Sequence, residues 1–126
     1  MEPESPAILV VDDDPLFRKL LANMLQSAGW RVQCSNSAEE ALERLASEKF
    51  QILVTDLRMD GLGGTGLIRE LNRKGTFRMD RILVVTGVPA NHSDSVWVSK
   101  CEIPILRKPF TVKGLLESIN LLTGGE

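Results

Sequence analysis

The order of apolar and polar residues divides the chain into alternating extended and helical segments. Ala7-Ile8-Leu9-Val10-Val11 is an unbroken apolar run that stops at Asp12-Asp13-Asp14-Pro15, the pattern of a strand buried on both faces that hands over to a helix. Asp14 is placed to cap that helix, with Pro15 at its first position. Phe17, Leu20, Leu21, Met24, Leu25 and Ala28 then recur at helical spacing, and Gly29 can supply a left-handed end. Trp30 to Cys34 alternates as a half-buried strand does, and Ser37-Ala38-Glu39-Glu40 has capping-box spacing ahead of Ala41, Leu42 and Leu45. The third unit runs from Ile52-Leu53-Val54-Thr55 into Asp56, then a glycine-rich loop from Asp60 to Gly66, then a helix on Leu67, Ile68 and Leu71 that closes near Gly75. Ile82-Leu83-Val84-Val85-Thr86 is a fourth buried strand, with a weakly periodic helix somewhere in Asn91 to Lys100. A short strand around Pro104 to Leu106, the triplet Lys108-Pro109-Phe110, and a helix capped by Thr111 that carries Leu115, Leu116, Ile119 and Leu122 complete the pattern.

Five β-α repeats with unalternating apolar strands predict an α/β fold, a single doubly wound domain with a mainly parallel five-stranded sheet and helices on both faces. Residues 1–6 are expected to form a disordered extension, residues 7–123 the domain, and residues 124–126 a tail. The 126 residues, 43% hydrophobic and 25% charged, match one globular domain that needs no staples. Fifteen Lys and Arg against seventeen Asp and Glu, without a basic run, give no footing for direct nucleic-acid binding. No stretch approaches the roughly 20 apolar residues of a membrane span. Cys34 and Cys101 form neither a CxxC pair nor a secreted framework, and the first residues lack the cationic end of a signal peptide, so a cytoplasmic setting is expected.

Open parallel sheets bind ligands at the carboxyl ends of their strands, where strand order reverses. Those ends carry Asp12 and Asp13, Asp56, Thr86 and, after the fifth strand, Lys108. If the first and third strands are neighbours, three carboxylates converge, and two like charges about 4 Å apart repel by about 4 kcal/mol at an effective dielectric near 20. Such a site wants a cation, and an all-oxygen donor set favours a hard one, Mg2+ rather than zinc. Taken singly, each residue also has a plain reading. Asp12 to Asp14 read equally as helix-capping acids, Asp56 as a strand-end turn former, Thr86 as structural and Lys108 as a solvated loop residue. It is their joint appearance at the strand ends that favours chemistry.

Val11-Asp12-Asp13, the Asp56 of Leu53-Val54-Thr55-Asp56-Leu57-Arg58-Met59-Asp60-Gly61, Thr86-Gly87 and Lys108-Pro109-Phe110 together resemble the receiver domain of two-component response regulators. The resemblance runs from about Ala7 to Leu122. It implies a flavodoxin-like fold with strand order 2-1-3-4-5, an order carried over from the family. It also implies that Asp56 accepts a phosphoryl group from a histidine kinase or histidine phosphotransfer protein. Asp12, Asp13, Asp56 and the backbone carbonyl of Arg58 would hold Mg2+, Thr86 and Lys108 would bind phosphoryl oxygens, and a cis bond before Pro109 would aim the lysine. The domain would then act as a conformational switch toward an output domain or effector rather than as an enzyme. The alternatives are an unphosphorylated pseudo-receiver and an aspartyl-nucleophile phosphatase. Against the latter, Arg58 stands where a second acid would be needed.

Four positions depart from the family pattern. Asp60 adds an acid to the acceptor loop, Arg58 and Val88 occupy places that tune phosphate lifetime, and Ile105 stands where a switching aromatic is frequent. Gly61-Leu62-Gly63-Gly64-Thr65-Gly66 matches a dinucleotide-binding fingerprint, yet it follows the third strand instead of the first. Its glycines are expected to let the loop beside Asp56 turn freely. His92 reads as a solvated surface residue, and Trp97 as either core or a partner-facing aromatic.

Overall fold

A computed structural model describes residues 7–124. The expected extension at residues 1–6 and the last two residues of the expected tail lie outside the described residues. The elements follow the predicted alternation: β1 (Ala7–Val11), α1 (Pro15–Ser27), β2 (Arg31–Ser35), α2 (Ala38–Ser47), β3 (Ile52–Thr55), α3 (Gly63–Lys74), β4 (Ile82–Thr86), α4 (Ser93–Lys100), β5 (Ile105–Arg107) and α5 (Val112–Leu122). A 3-10 turn, Met79–Arg81, leads into β4 and had no signal in the periodicity. The sheet is parallel throughout, in the order β2-β1-β3-β4-β5.

Alternation within each strand divides the core between two faces. Leu9, Val11, Leu53, Ile82 and Val84 pack with Ala41 and Leu45 of α2, Leu67, Ile68 and Leu71 of α3, and Val98 of α4. Ile8, Val10, Ile52, Val54, Leu83 and Val85 pack on the opposite side with Leu21 and Leu25 of α1 and Leu115 and Ile119 of α5. Each buried Val, Leu or Ile among them contributes roughly 1.5–3 kcal/mol on leaving water. This explains why the strands read as continuous apolar runs.

The caps set where the helices begin. Asp14 Oδ1 accepts from the N–H groups of Leu16 at 3.0 Å and Phe17 at 3.4 Å, with Pro15 in the first turn. Thr111 Oγ1 accepts from Gly114 N–H at 2.9 Å. The expected capping box on α2 is only half formed. Ser37 Oγ accepts from Glu40 N–H at 3.0 Å, but the Glu40 carboxylate reaches one residue further back, to Asn36 N–H at 2.9 Å. The weakly periodic α4 has an unexpected cap: His92 Nδ1 accepts from Asp94 N–H at 3.1 Å, so His92 is half-buried and structural, not merely solvated.

The glycine-rich stretch differs most from expectation. Gly63, Gly64 and Gly66 lie inside the first turn of α3, not in a free loop. Gly61 and Gly63 do adopt positive φ, 78° and 75°. Gly64 serves close approach instead, since a Cβ there would lie 1.8 Å from the Asp56 carbonyl oxygen.

Candidate functional site

Register brings the polar strand ends together. Val11 pairs with Thr55 across β1 and β3, so Asp12 and Asp56 leave the sheet side by side where strand order reverses. Asp12 N–H donates to Ser35 O, and Asp56 N–H donates to Val11 O. Both carboxylates are buried, Asp12 at 2% and Asp56 at 8% exposure. Thr86 ends β4 fully buried, and Lys108 follows β5 with a cis bond to Pro109, as the resemblance implied.

Asp56 Oδ1 accepts from Leu57 N–H at 2.6 Å and Arg58 N–H at 3.4 Å, while Oδ2 accepts from Lys108 Nζ at 2.9 Å. The same ammonium lies 3.6 Å from Asp12 Oδ2. Asp12 Oδ1 accepts from Asp14 N–H at 2.9 Å, and Arg18 donates to the Asp12 carbonyl at 2.7 Å. Thr86 Oγ1 accepts from Val88 N–H at 3.2 Å. The Val88 carbonyl in turn accepts from the Ser95 hydroxyl and the Arg107 guanidinium. Asp56, Arg58, Thr86, Val88 and Lys108 line one cleft of about 280 Å³.

The expected convergence of three carboxylates holds for two of them. Asp13 is exposed and its Oδ2 accepts from Asp60 N–H at 3.2 Å, in the loop that follows Asp56. Among the described residues, no three Asp, Glu, His or Cys side chains are gathered as a metal set. Lys108 supplies the positive charge between Asp12 and Asp56. The donor set nonetheless fits a hard cation. Asp12 Oδ2 is buried and accepts no hydrogen bond, and all the candidate ligands are oxygens.

The family profile described as the response regulator receiver domain matches residues 8–120. The chain belongs to the response regulator receiver family. It is 32% identical to the transcriptional regulatory protein FixJ of Azorhizobium caulinodans, covering 97% of this chain and 57% of that protein. It is 36% identical to the sensor histidine kinase RcsC of Escherichia coli K12 over 67% of this chain and 8% of that protein. The chain therefore spans less than two thirds of each. The crystal structure of TrrA from Thermotoga maritima, in complex with Mg(2+)-BeF, superposes with a TM-score of 0.79 at 30% identity, covering 93% of this chain and 98% of that one.

Several contacts of this receiver had no sequence signal. Arg18, Arg107 and the ring of Phe17 reach the site through tertiary placement, while Leu57 N–H reaches it as the sequence neighbour of Asp56. Trp97 packs half-buried against the core, with the Arg69 guanidinium 4.0 Å above its ring centroid. Ile105 is likewise partly buried against the α2/α3/α4 core face, which gives the position an aliphatic anchor in place of an aromatic. Among the described residues, no helix is long and apolar enough to cross a membrane.

Burial raises the Asp12 pKa above its ordinary 3.8, with the neighbouring Asp56 and Asp13 charges adding to the rise and the Asp14 N–H and Lys108 opposing it. At this one carboxyl the folded receiver thus holds its proton to higher pH than the unfolded chain, so the contribution of Asp12 to stability falls as pH rises from the ordinary aspartate range. Asp12→Asn should therefore raise the melting temperature at neutral pH without added metal. It should also flatten the loss of stability between acidic and neutral pH. Thermal melts across that range check this, and a lower melting temperature for the variant would contradict it.

Proposed function

We propose that this receiver takes a phosphoryl group onto Asp56 and works as a two-component signalling switch in the cytoplasm, changing itself rather than turning over a substrate. The donor would be the phosphohistidine of a histidine kinase or histidine phosphotransfer protein, and the recipient of the signal an output domain or effector. The observation that carries this reading is the Asp56 carboxylate, buried beside Asp12 and held between two backbone N–H groups and the Lys108 ammonium. One carboxylate oxygen attacks phosphorus, the P–N bond to the imidazole breaks, and an aspartyl phosphate forms.

Each neighbour has a definable task. Main-chain N–H groups hold Oδ1, so Oδ2 is the oxygen that exchanges partners. Lys108 can pass from Oδ2 to a phosphoryl oxygen without leaving the site. Thr86 Oγ1 accepts from Val88 N–H, which leaves its own proton for another phosphoryl oxygen. Asp12, Asp13, Asp56 and the Arg58 carbonyl are the groups that would hold Mg2+, which neutralises charge on the transferred group when bound. Likeness to TrrA, itself recorded with Mg(2+)-BeF, supports that assignment.

Incubation with acetyl phosphate and Mg2+ should add one phosphoryl mass, recovered on the peptide that contains Asp56. No labelling would favour the pseudo-receiver, and turnover of added phosphate esters would favour a phosphatase.

The lifetime of the product follows from Arg58, whose exposed side chain shares the cleft with Asp56 and can cover a phosphoryl group. Arg58→Asn should hasten decay of the phosphorylated form severalfold at fixed Mg2+ and pH. Slower decay in the variant would mean that the guanidinium assists hydrolysis. Val88 is no companion site for this test. It is 4% exposed and packed in the core, so Val88→Glu would bury a carboxylate and confound lifetime with folding.

A further inference from the structure

Phe17 and Phe110 have no task in the scheme above, yet Phe17 meets its lysine and Phe110 meets Phe17. Phe17 lies in the first turn of α1, and the Lys108 ammonium sits 3.8 Å from its ring centroid, over the face. Phe110, two residues beyond Lys108, packs edge-on against the same ring, with centroids 5.8 Å apart and planes at 85°. The loop after β5 thus grips one ring of α1 twice, once by charge and once by an aromatic edge.

The chemistry of the pair explains the arrangement. An ammonium over an aromatic face is attracted to the negative side of the ring quadrupole, and the attraction grows as water is excluded. The Lys108 side chain is 26% exposed, so it is partly desolvated while keeping a route to solvent. The near-perpendicular contact with Phe110 sets the rim of one ring against the face of the other and restrains the plane of the Phe17 ring. Asp14 contributes from the other end. Its carboxylate accepts the Phe17 N–H at 3.4 Å and so helps set where Phe17 stands on the first turn.

We propose that Phe17 is a positioning residue for the Lys108 ammonium, its ring face holding the charge beside Asp12 and Asp56. The further consequence rests on the phosphoryl-transfer reading above. Once Asp56 is modified, Lys108 loses its 2.9 Å carboxylate partner and must find a phosphoryl oxygen. The ring is a neutral partner that does not change in that step, so it keeps the ammonium from swinging out to water while its anionic partner is exchanged.

The test replaces Phe17 by mono-, di- and trifluorophenylalanine, which drain the ring quadrupole stepwise at nearly constant shape, with Phe17→Leu as the limit. In the unmodified receiver, the Lys108 ε-methylene protons should resonate upfield through the ring current, and the displacement should shrink along the series. With acetyl phosphate and Mg2+, the phosphorylation rate should fall in step, reaching about three- to tenfold slower without the ring, the range of a partly desolvated cation–π contact. Melting temperatures of the fluorinated proteins should stay level, which separates positioning from packing. Unshifted methylene protons in the parent overturn the proposal, and so does a rate that ignores fluorination. If no protein in the series accepts a phosphoryl group, the functional reading fails, and the proton shifts still decide the contact.

Discussion

Asp56→Asn should abolish phosphoryl uptake while leaving the domain folded. The amide can keep the Oδ1 hydrogen bonds from Leu57 and Arg58, because an amide oxygen accepts as a carboxylate does. Its second group, however, is an NH2 where Oδ2 met Lys108 at 2.9 Å. That group neither attacks phosphorus nor accepts from an ammonium, so the nucleophile is removed outright. Lys108 then retains Asp12 Oδ2, 3.6 Å away, and the pair becomes one carboxylate with one cation instead of two with one. Intact mass after exposure to acetyl phosphate and Mg2+ reads the outcome, with circular dichroism as the control for folding. A full phosphoryl mass on the variant would move the acceptor elsewhere, Asp12 and Asp13 being the next residues to test.

The second large effect is expected from a residue with no side chain. Gly64→Ala would set a Cβ 1.8 Å from the Asp56 carbonyl oxygen and 2.8 Å from both the Asp56 carbonyl carbon and Leu57 Cα. All three are backbone atoms and cannot rotate aside. Gly64 N–H also donates to Leu57 O at 3.1 Å, so the start of α3 is tied to the peptide next to the one it would strike. Either α3 lifts away or the Asp56–Leu57 peptide turns, and the second removes the Leu57 N–H that holds Oδ1. The cost should reach about 3 kcal/mol or more, at the upper end for overpacked sites, and lower the melting temperature by roughly 10 °C in a chain of this length.

Two neighbouring glycines calibrate that expectation. A Cβ at Gly66 would meet Leu62 Cγ at 2.6 Å, but Leu62 is a partly exposed side chain that can turn away, so Gly66→Ala should cost less. Gly87 has nothing within 4 Å of such a Cβ, and Gly87→Ala should be nearly neutral. Equal melting temperatures for Gly64→Ala and Gly87→Ala would show that the close approach at Asp56 does not constrain the fold.

The sequence by itself determined the element order, because every strand but the half-buried β2 and the short β5 is buried on both faces and therefore reads as an unbroken apolar run. It located the Asp56 carboxylate, the acidic pair, the hydroxyl and the lysine, since each stands at a strand end that the pattern marks sharply. The caps at Asp14, Ser37 and Thr111 were legible for the same reason: a cap is a local hydrogen bond over two or three residues. Strand order came from the family likeness, as periodicity says which face a residue takes and not which strand lies beside it.

Only tertiary structure decided the rest. That Asp12 and Asp56 share one ammonium, while Asp13 leans to Asp60 N–H, depends on contacts between residues far apart in the chain, and no spacing rule reaches them. Gly64 looked like loop freedom because a glycine's sequence context does not distinguish a positive φ from a missing Cβ, and only the approach of Asp56 O tells them apart. His92 looked solvated because an imidazole is an uncommon cap, and its role appears once Asp94 N–H is in place. The ring of Phe17 read as one more apolar position on α1, since helical spacing reports that a side chain faces inward and is blind to the charge it meets there.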